Sequence, residues 1–306
     1  MRSLLGLLAA AAVFVAGCGS TSTGQASPSI PLSASPAPGG PEILPLLINS
    51  EILRGPNRFV FSLTDPANNL IAAPDVKVHL LFYDVDTATD TVVFETEARF
   101  LWAIEGEQGL YVTDVTFPDA GRWGTRFTAT FPDARKKTVR ADYDVAATGT
   151  TPALGSKAPS IDTPTASDVG GDLTKVSTDQ APDPRFYESS VADALAAGRP
   201  FVLSFATPAF CESRLCGPTL ETVKRVAGAY ATLTFINVEP YKMAFRDGSL
   251  QPEFDAQGGL QAAAWTEAWG LQSEPYTFVV AADGTVAAKF EGVLGEDELR
   301  AALDAL

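Results

Sequence analysis

The chain has one histidine, three cysteines and two methionines in 306 residues. A lone histidine excludes a zinc site built from several imidazoles, and it leaves any Ser-His-Asp triad to recruit His79 alone. Cations are scarce too: 22 Lys and Arg stand against 37 Asp and Glu, for a formal charge of −15. That balance repels phosphate backbones and argues against nucleic acid as a partner. No Gly-x-x-x-x-Gly-Lys loop is present to cradle a phosphate, and no cofactor is implied. The one markedly apolar run outside the folded regions, Leu4 to Ala16, is too short to span a bilayer.

That run follows Met1-Arg2 and ends in Val15-Ala16-Gly17-Cys18. A positive start and a short apolar stretch read as a leader to be removed. The ending resembles a bacterial lipobox, so residues 1–18 are expected to be a lipoprotein signal peptide. The resemblance makes Cys18 the lipidated first residue of an extracytoplasmic, membrane-anchored protein. Cys211 and Cys216 are then the only pair left in an oxidising compartment, and they are expected to bond to each other.

Residues 19–41 are rich in Ser, Thr, Pro and Gly and read as a flexible tether. From 42 to 147 apolar and polar residues alternate: Phe59, Phe61 and Leu63; Val76, Val78, Leu80 and Phe82; Phe127, Ala129 and Phe131; Val139, Ala141 and Tyr143. Short alternating runs between turn signals predict an antiparallel sandwich. The stretch GLYVTDVTFPDAGRWGTRFTATF resembles small extracytoplasmic Ig-like domains of the FixH/YtkA type, which implies no activity. Residues 148–184 return to linker composition, with Ile161, Val169, Leu173 and Val176 able to lie on a surface.

Beyond residue 185 the period changes. PFVLSFA and LTFINVE read as fully buried strands, a helix follows the cysteines, and PYTFVVAADGTVAAKFEGV reads as a hairpin turning at Asp283-Gly284. Lys242 to Leu260 reads as a polar insertion, and GEDELRAALDAL as a closing helix. This order resembles thioredoxin-like domains of the exported TlpA type over residues 185–306. The matching positions are Phe201 to Phe205, Cys211, Cys216 and Pro275. The resemblance implies an α/β fold, a cis Glu274-Pro275 bond beside the cysteines, and thiol–disulfide oxidoreductase activity on exported proteins.

Four residues separate the cysteines where the family has two. Positions five apart on a regular helix face about 140° away from each other, so one cysteine must precede the helix. Gly217-Pro218 suits a first helical turn and puts the start at about Gly217. Aligning Phe210-Cys211 with the family motif makes Cys211 the attacking thiol; aligning Cys216-Gly217-Pro218 with it makes Cys216 the attacker. Ser204 or Phe205 stands where many relatives carry a buried acid, which leaves Glu212 as the nearest carboxylate in sequence. Two other readings remain open: a partner-binding lipoprotein in which the disulfide is only a staple, and a Sco-type copper carrier, for which His79 is the sole imidazole.

Overall fold

In the stretch 92–104, VVFETEARFLWAI, thirteen residues run without a glycine or proline, and this run determines the shape of the first half of the molecule. The structure is a computed structural model that describes residues 40–306; the signal peptide, Cys18 and nearly all of the tether lie outside the described residues. Its first seven strands are β1 (Leu44–Leu47), β2 (Gly55–Thr64), β3 (Lys77–Asp84), β4 (Val92–Ile104), β5 (Gln108–Phe117), β6 (Gly121–Thr130) and β7 (Lys136–Val145). Strand β4 pairs with β3 over Val92 to Ala98 and with β5 over Arg99 to Ile104. It therefore joins what would otherwise be two sheets.

The result is one antiparallel sheet in the order β1-β2-β5-β4-β3-β6-β7. Its two ends approach each other, with Ala146 exchanging backbone hydrogen bonds with Ile52 and Arg54. The expected two-sheet Ig-like sandwich is corrected to this single, nearly closed sheet. One face wraps an aromatic core of Phe59, Phe61, Phe82, Tyr111, Phe117, Trp123 and Phe127, all buried. Alternation places these side chains together because successive Cβ atoms leave opposite faces of a strand.

Residues 148–184 are ordered against the rest of the chain. Thr151, Thr163, Thr165, Val176 and Ser177 are buried, and Val286 donates its N–H to the Ser156 carbonyl. Then come α1 (Val191–Ala196), β8 (Phe201–Phe205), α2 (Cys216–Ala227), β9 (Thr234–Val238), β10 (Met243–Arg246), β11 (Ser249–Pro252), α3 (Ala264–Ala268), β12 (Tyr276–Val280), β13 (Val286–Glu291) and α4 (Glu296–Asp304). A four-stranded sheet runs β13-β12-β8-β9, with β8 and β9 parallel and the other pairings antiparallel. β8 and β12 are buried at every position, as continuous apolar runs require when both faces are covered. Residues 242–260, expected as a polar insertion, hold the hairpin β10–β11.

The described chain is predominantly β: thirteen strands stand against four α-helices of six, twelve, five and nine residues. The expected α/β thioredoxin-like class is corrected on this ground. Several stretches with helical spacing give only one or two turns, stopped at left-handed glycines such as Gly198 and Gly270.

The two sheets are joined by apolar and ionic contacts. Val60, Leu110 and Val112 sit on the face of the seven-stranded sheet opposite the aromatic core and pack with Leu215 and Val293. Arg58 donates to both carboxylate oxygens of Glu298, at 2.7 and 3.0 Å, and to the Glu291 and Val293 carbonyls at 3.2 and 2.8 Å.

Candidate functional site

The loop Cys211 to Cys216 follows β8 and leads into α2. Its span closes because Arg214 adopts φ +64, a left-handed residue that reverses the chain. The Arg214 N–H donates to the Cys211 carbonyl at 3.3 Å. Cys211 and Cys216 form a disulfide with their Cα atoms 5.9 Å apart, an ordinary separation for such a bond. Leu215 is the N-cap of α2 and Cys216 its first residue, with Pro218 in the first turn; the helix thus begins one residue before the position expected from sequence.

The two sulfurs differ in surroundings. Cys216 is fully buried among Leu220, Val223 and Leu294, whereas Cys211 is half-buried at the edge of that cluster. Cys211 Sγ accepts the backbone N–H of Cys216 at 3.1 Å and lies 3.3 Å from Ser213 Oγ. A sulfur facing the first N–H of a twelve-residue helix is where negative charge is best tolerated. The reachable sulfur and the stabilised sulfur are the same atom, which favours Cys211 as the attacking thiol.

The Glu274–Pro275 bond is cis and leads into β12. Glu274 is the residue that sequence reasoning missed. Its Oε1 accepts the Glu212 N–H at 3.0 Å, and its carbonyl accepts from Ser213 Oγ at 3.2 Å. One carboxylate oxygen and both sulfurs lie within 4.8 Å of one another. Burial pushes the Glu274 carboxyl above its usual range, against the hydrogen bonds from Tyr241 and Glu212 N–H and with the help of the Glu212 charge. Burial and the Glu274 carboxylate likewise raise Tyr241. Glu212, the carboxylate nearest in sequence, enters through its backbone N–H, and its side chain is exposed. The sequence signal for Glu274 was its place directly before Pro275.

A second acid is buried in the same half of the chain. Glu239 follows β9 and is 3% exposed, and Thr178 N–H donates to its Oε1 at 2.6 Å. Burial pushes its carboxyl up to about 7, against hydrogen bonds from Thr207 and Thr178. Its Oε2 and Asn237 Oδ1 have no partner, and both residues line a cavity of about 90 Å3 beside Met243 and Trp265.

In the disulfide state both sulfurs are bonded to each other, so Cys211 and Cys216 offer no thiolate to a metal. His79 lies on β3 beside Glu95, on the other sheet, and does not join the cysteines. A larger cleft of about 590 Å3 runs between the sheets, but Arg58 and Arg99 in it both face Glu298, and Lys289 faces Glu51. Among the described residues no helix is long and apolar enough to cross a membrane. In comparisons with known proteins, no family model matches the chain and no curated protein is significantly similar to it.

Proposed function

We propose that the protein exchanges thiols and disulfides with exported proteins, through Cys211 as attacking thiol and Cys216 as resolving thiol. The reading rests on one observation above the others: Cys211 Sγ is at once partly accessible and hydrogen-bonded to the N–H of Cys216. Attack by the Cys211 thiolate on a substrate disulfide forms a mixed disulfide and releases one substrate thiolate. Cys216 then attacks Cys211 Sγ, closes the intramolecular bond and releases the second. A disulfide of this kind belongs in an oxidising compartment, in keeping with a leader that ends at Cys18 and with attachment to a membrane through lipid there.

The test is a Cys216→Ser variant expressed with its natural leader. Without the resolving thiol, Cys211 is expected to accumulate mixed disulfides with exported proteins, released by reductant. A variant that collects none, together with a wild-type pair whose potential lies below about −300 mV, overturns the proposal in favour of a structural staple.

A further inference from the structure

We infer that Glu274 is the proton carrier of this exchange, taking the proton from each attacking thiol and giving it to each departing one. The inference rests on the exchange reading above and adds a role to a residue that neither spacing nor proximity in sequence singles out.

Three geometric facts converge. A Glu274 carboxylate oxygen lies within 4.8 Å of both sulfurs, a span that one hydrogen-bonded water bridges. Its other contacts hold it there: Oε1 accepts the Glu212 N–H and the backbone carbonyl accepts from Ser213, so residues 212 and 213 of the cysteine loop are tied to residue 274. The titratable groups placed against it are Tyr241, Glu212 and the two cysteines. A carboxyl raised by burial is closer to a thiol in proton affinity than an exposed one, which suits it to pass a proton in either direction.

The protons balance as follows. The Cys211 thiol loses its proton to the Glu274 carboxylate and attacks a substrate disulfide. The new Cys211–substrate bond forms as the substrate S–S bond breaks, and the departing thiolate takes the proton from Glu274. The Cys216 thiol then loses its proton to the same carboxylate and attacks Cys211 Sγ. The intramolecular disulfide forms, the mixed disulfide breaks, and the second substrate thiolate leaves with that proton. The protein dithiol is oxidised, the substrate disulfide is reduced to two thiols, and Glu274 ends ionised as it began.

Glutamine keeps an oxygen for the Glu212 N–H while removing the acid, so Glu274→Gln separates proton transfer from loop positioning. Reduced wild-type, Glu274→Gln and Glu274→Asp chains are mixed with oxidised glutathione across mildly acidic to neutral pH, and protein disulfide formation is followed. Alkylation of Cys211 by iodoacetamide is measured in parallel. Glu274→Gln is expected to be oxidised about tenfold or more slowly, and to lose the decline in rate that wild type shows as falling pH protonates Glu274. Its alkylation is expected to be as fast as wild type or faster, since a negative neighbour no longer opposes the thiolate. Glu274→Asp is expected to recover part of the exchange rate. Oxidation of Glu274→Gln at the wild-type rate overturns the inference, as does equal slowing of oxidation and alkylation, which reports a displaced loop. Wild-type protein oxidised no faster than free cysteine overturns the exchange reading itself, a separate and recognisable result.

Discussion

The two sheets differ in how completely they satisfy their buried polar atoms. In the seven-stranded sheet, buried Ser62 donates to the Gly109 carbonyl, Thr125 bonds the Tyr143 hydroxyl at 2.6 Å, and Tyr111 Oη donates to the Val76 carbonyl. Among the described residues, the buried side-chain atoms left without a partner belong to Ser204, Thr219, Asn237, Glu239, Trp269 and Thr277. All six fall in the four-stranded sheet and the segments around it. The carboxyls raised by burial, Glu239, Glu274 and Glu291, lie there as well. Buried polar atoms normally find partners, and a cluster of exceptions marks a region shaped by more than packing. On the function proposed above, the first sheet is a frame and the second carries the chemistry.

The frame is the place for the largest effect on stability. Phe59 is fully buried, with ring centroids 5.6 Å from Phe82, 5.7 Å from Tyr143 and 5.9 Å from Phe61. Phe59→Ala is expected to lower stability by about 4 kcal/mol in chemical denaturation. If the frame and the chemistry are as separable as the contrast implies, the surviving folded fraction keeps its rate of oxidation by glutathione disulfide. A fall in that rate would show that the frame also tunes the site.

Arg58→Ala tests the joint between the regions. Among the described residues it leaves Glu298 with Arg99 as its one ion-pair partner, and removing one partner of a buried pair costs about 3 kcal/mol. Burial alone would raise the Glu298 carboxyl; Arg58, the Gly295 N–H and Arg99 outweigh it and hold it below the usual 4.5. A depressed carboxyl stabilises the fold above its unfolded value and loses that contribution as pH falls through the folded one. Wild type is therefore expected to lose stability in acid more steeply than Arg58→Ala, read from thermal unfolding at a series of pH values.

Much of this contrast was legible in the sequence, for reasons that differ by region. Alternation marked β3, β6 and β7 because one face of each is more buried than the other, and it marked β2 through Phe59, Phe61 and Leu63 although Val60 and Ser62 on its other face are buried as well. It gave no warning that β4 runs unbroken. That strand is mostly exposed or half-buried on both faces, so burial leaves no mark where one pairing ends and the next begins. Nor did alternation show that Val60 and Val112 are covered, because the cover is Leu215, from a loop about 100 residues or more further along the chain. At the site, Cys211, Cys216 and Pro275 stood out by residue type and neighbours. Glu274 did not, because what makes it notable is the fold of the cysteine loop back onto it. Glu239 was equally hidden: its burial depends on Thr178, in a stretch of linker composition.

Glu239 lets the pH behaviour of the second region be set against that of the joint. Its folded carboxyl titrates at about 7 against an ordinary 4.5, so the folded chain holds a proton that the unfolded chain releases. The contribution is fully present below 4.5 and is lost as pH rises through about 7. That is the opposite sign to Glu298. Glu239→Gln, neutral throughout, is expected to remove the decline and to exceed wild type by about 3 kcal/mol above neutrality. Denaturation midpoints of the two proteins at mildly acidic and at alkaline pH are the measurement; parallel curves would refute a buried, protonated acid.

The smallest of these effects decides what the disulfide is for. Its bond closes a loop of only six residues, counting both cysteines, and loop entropy assigns such a link about 2 kcal/mol. Leu215, held between the cysteines by Val60, Leu110 and Val112, anchors the loop whether or not the sulfurs are joined. Reduction is therefore expected to lower stability by no more than about 2 kcal/mol and to leave the sheets associated, as read by thermal unfolding with and without reductant. A much larger loss would mean that the bond holds the loop in place, and a pair that must stay oxidised for the chain to remain folded is a poor carrier of electrons. A small loss leaves the loop, Glu274 and the start of α2 in register in both redox states, which is what a cycling thiol pair requires.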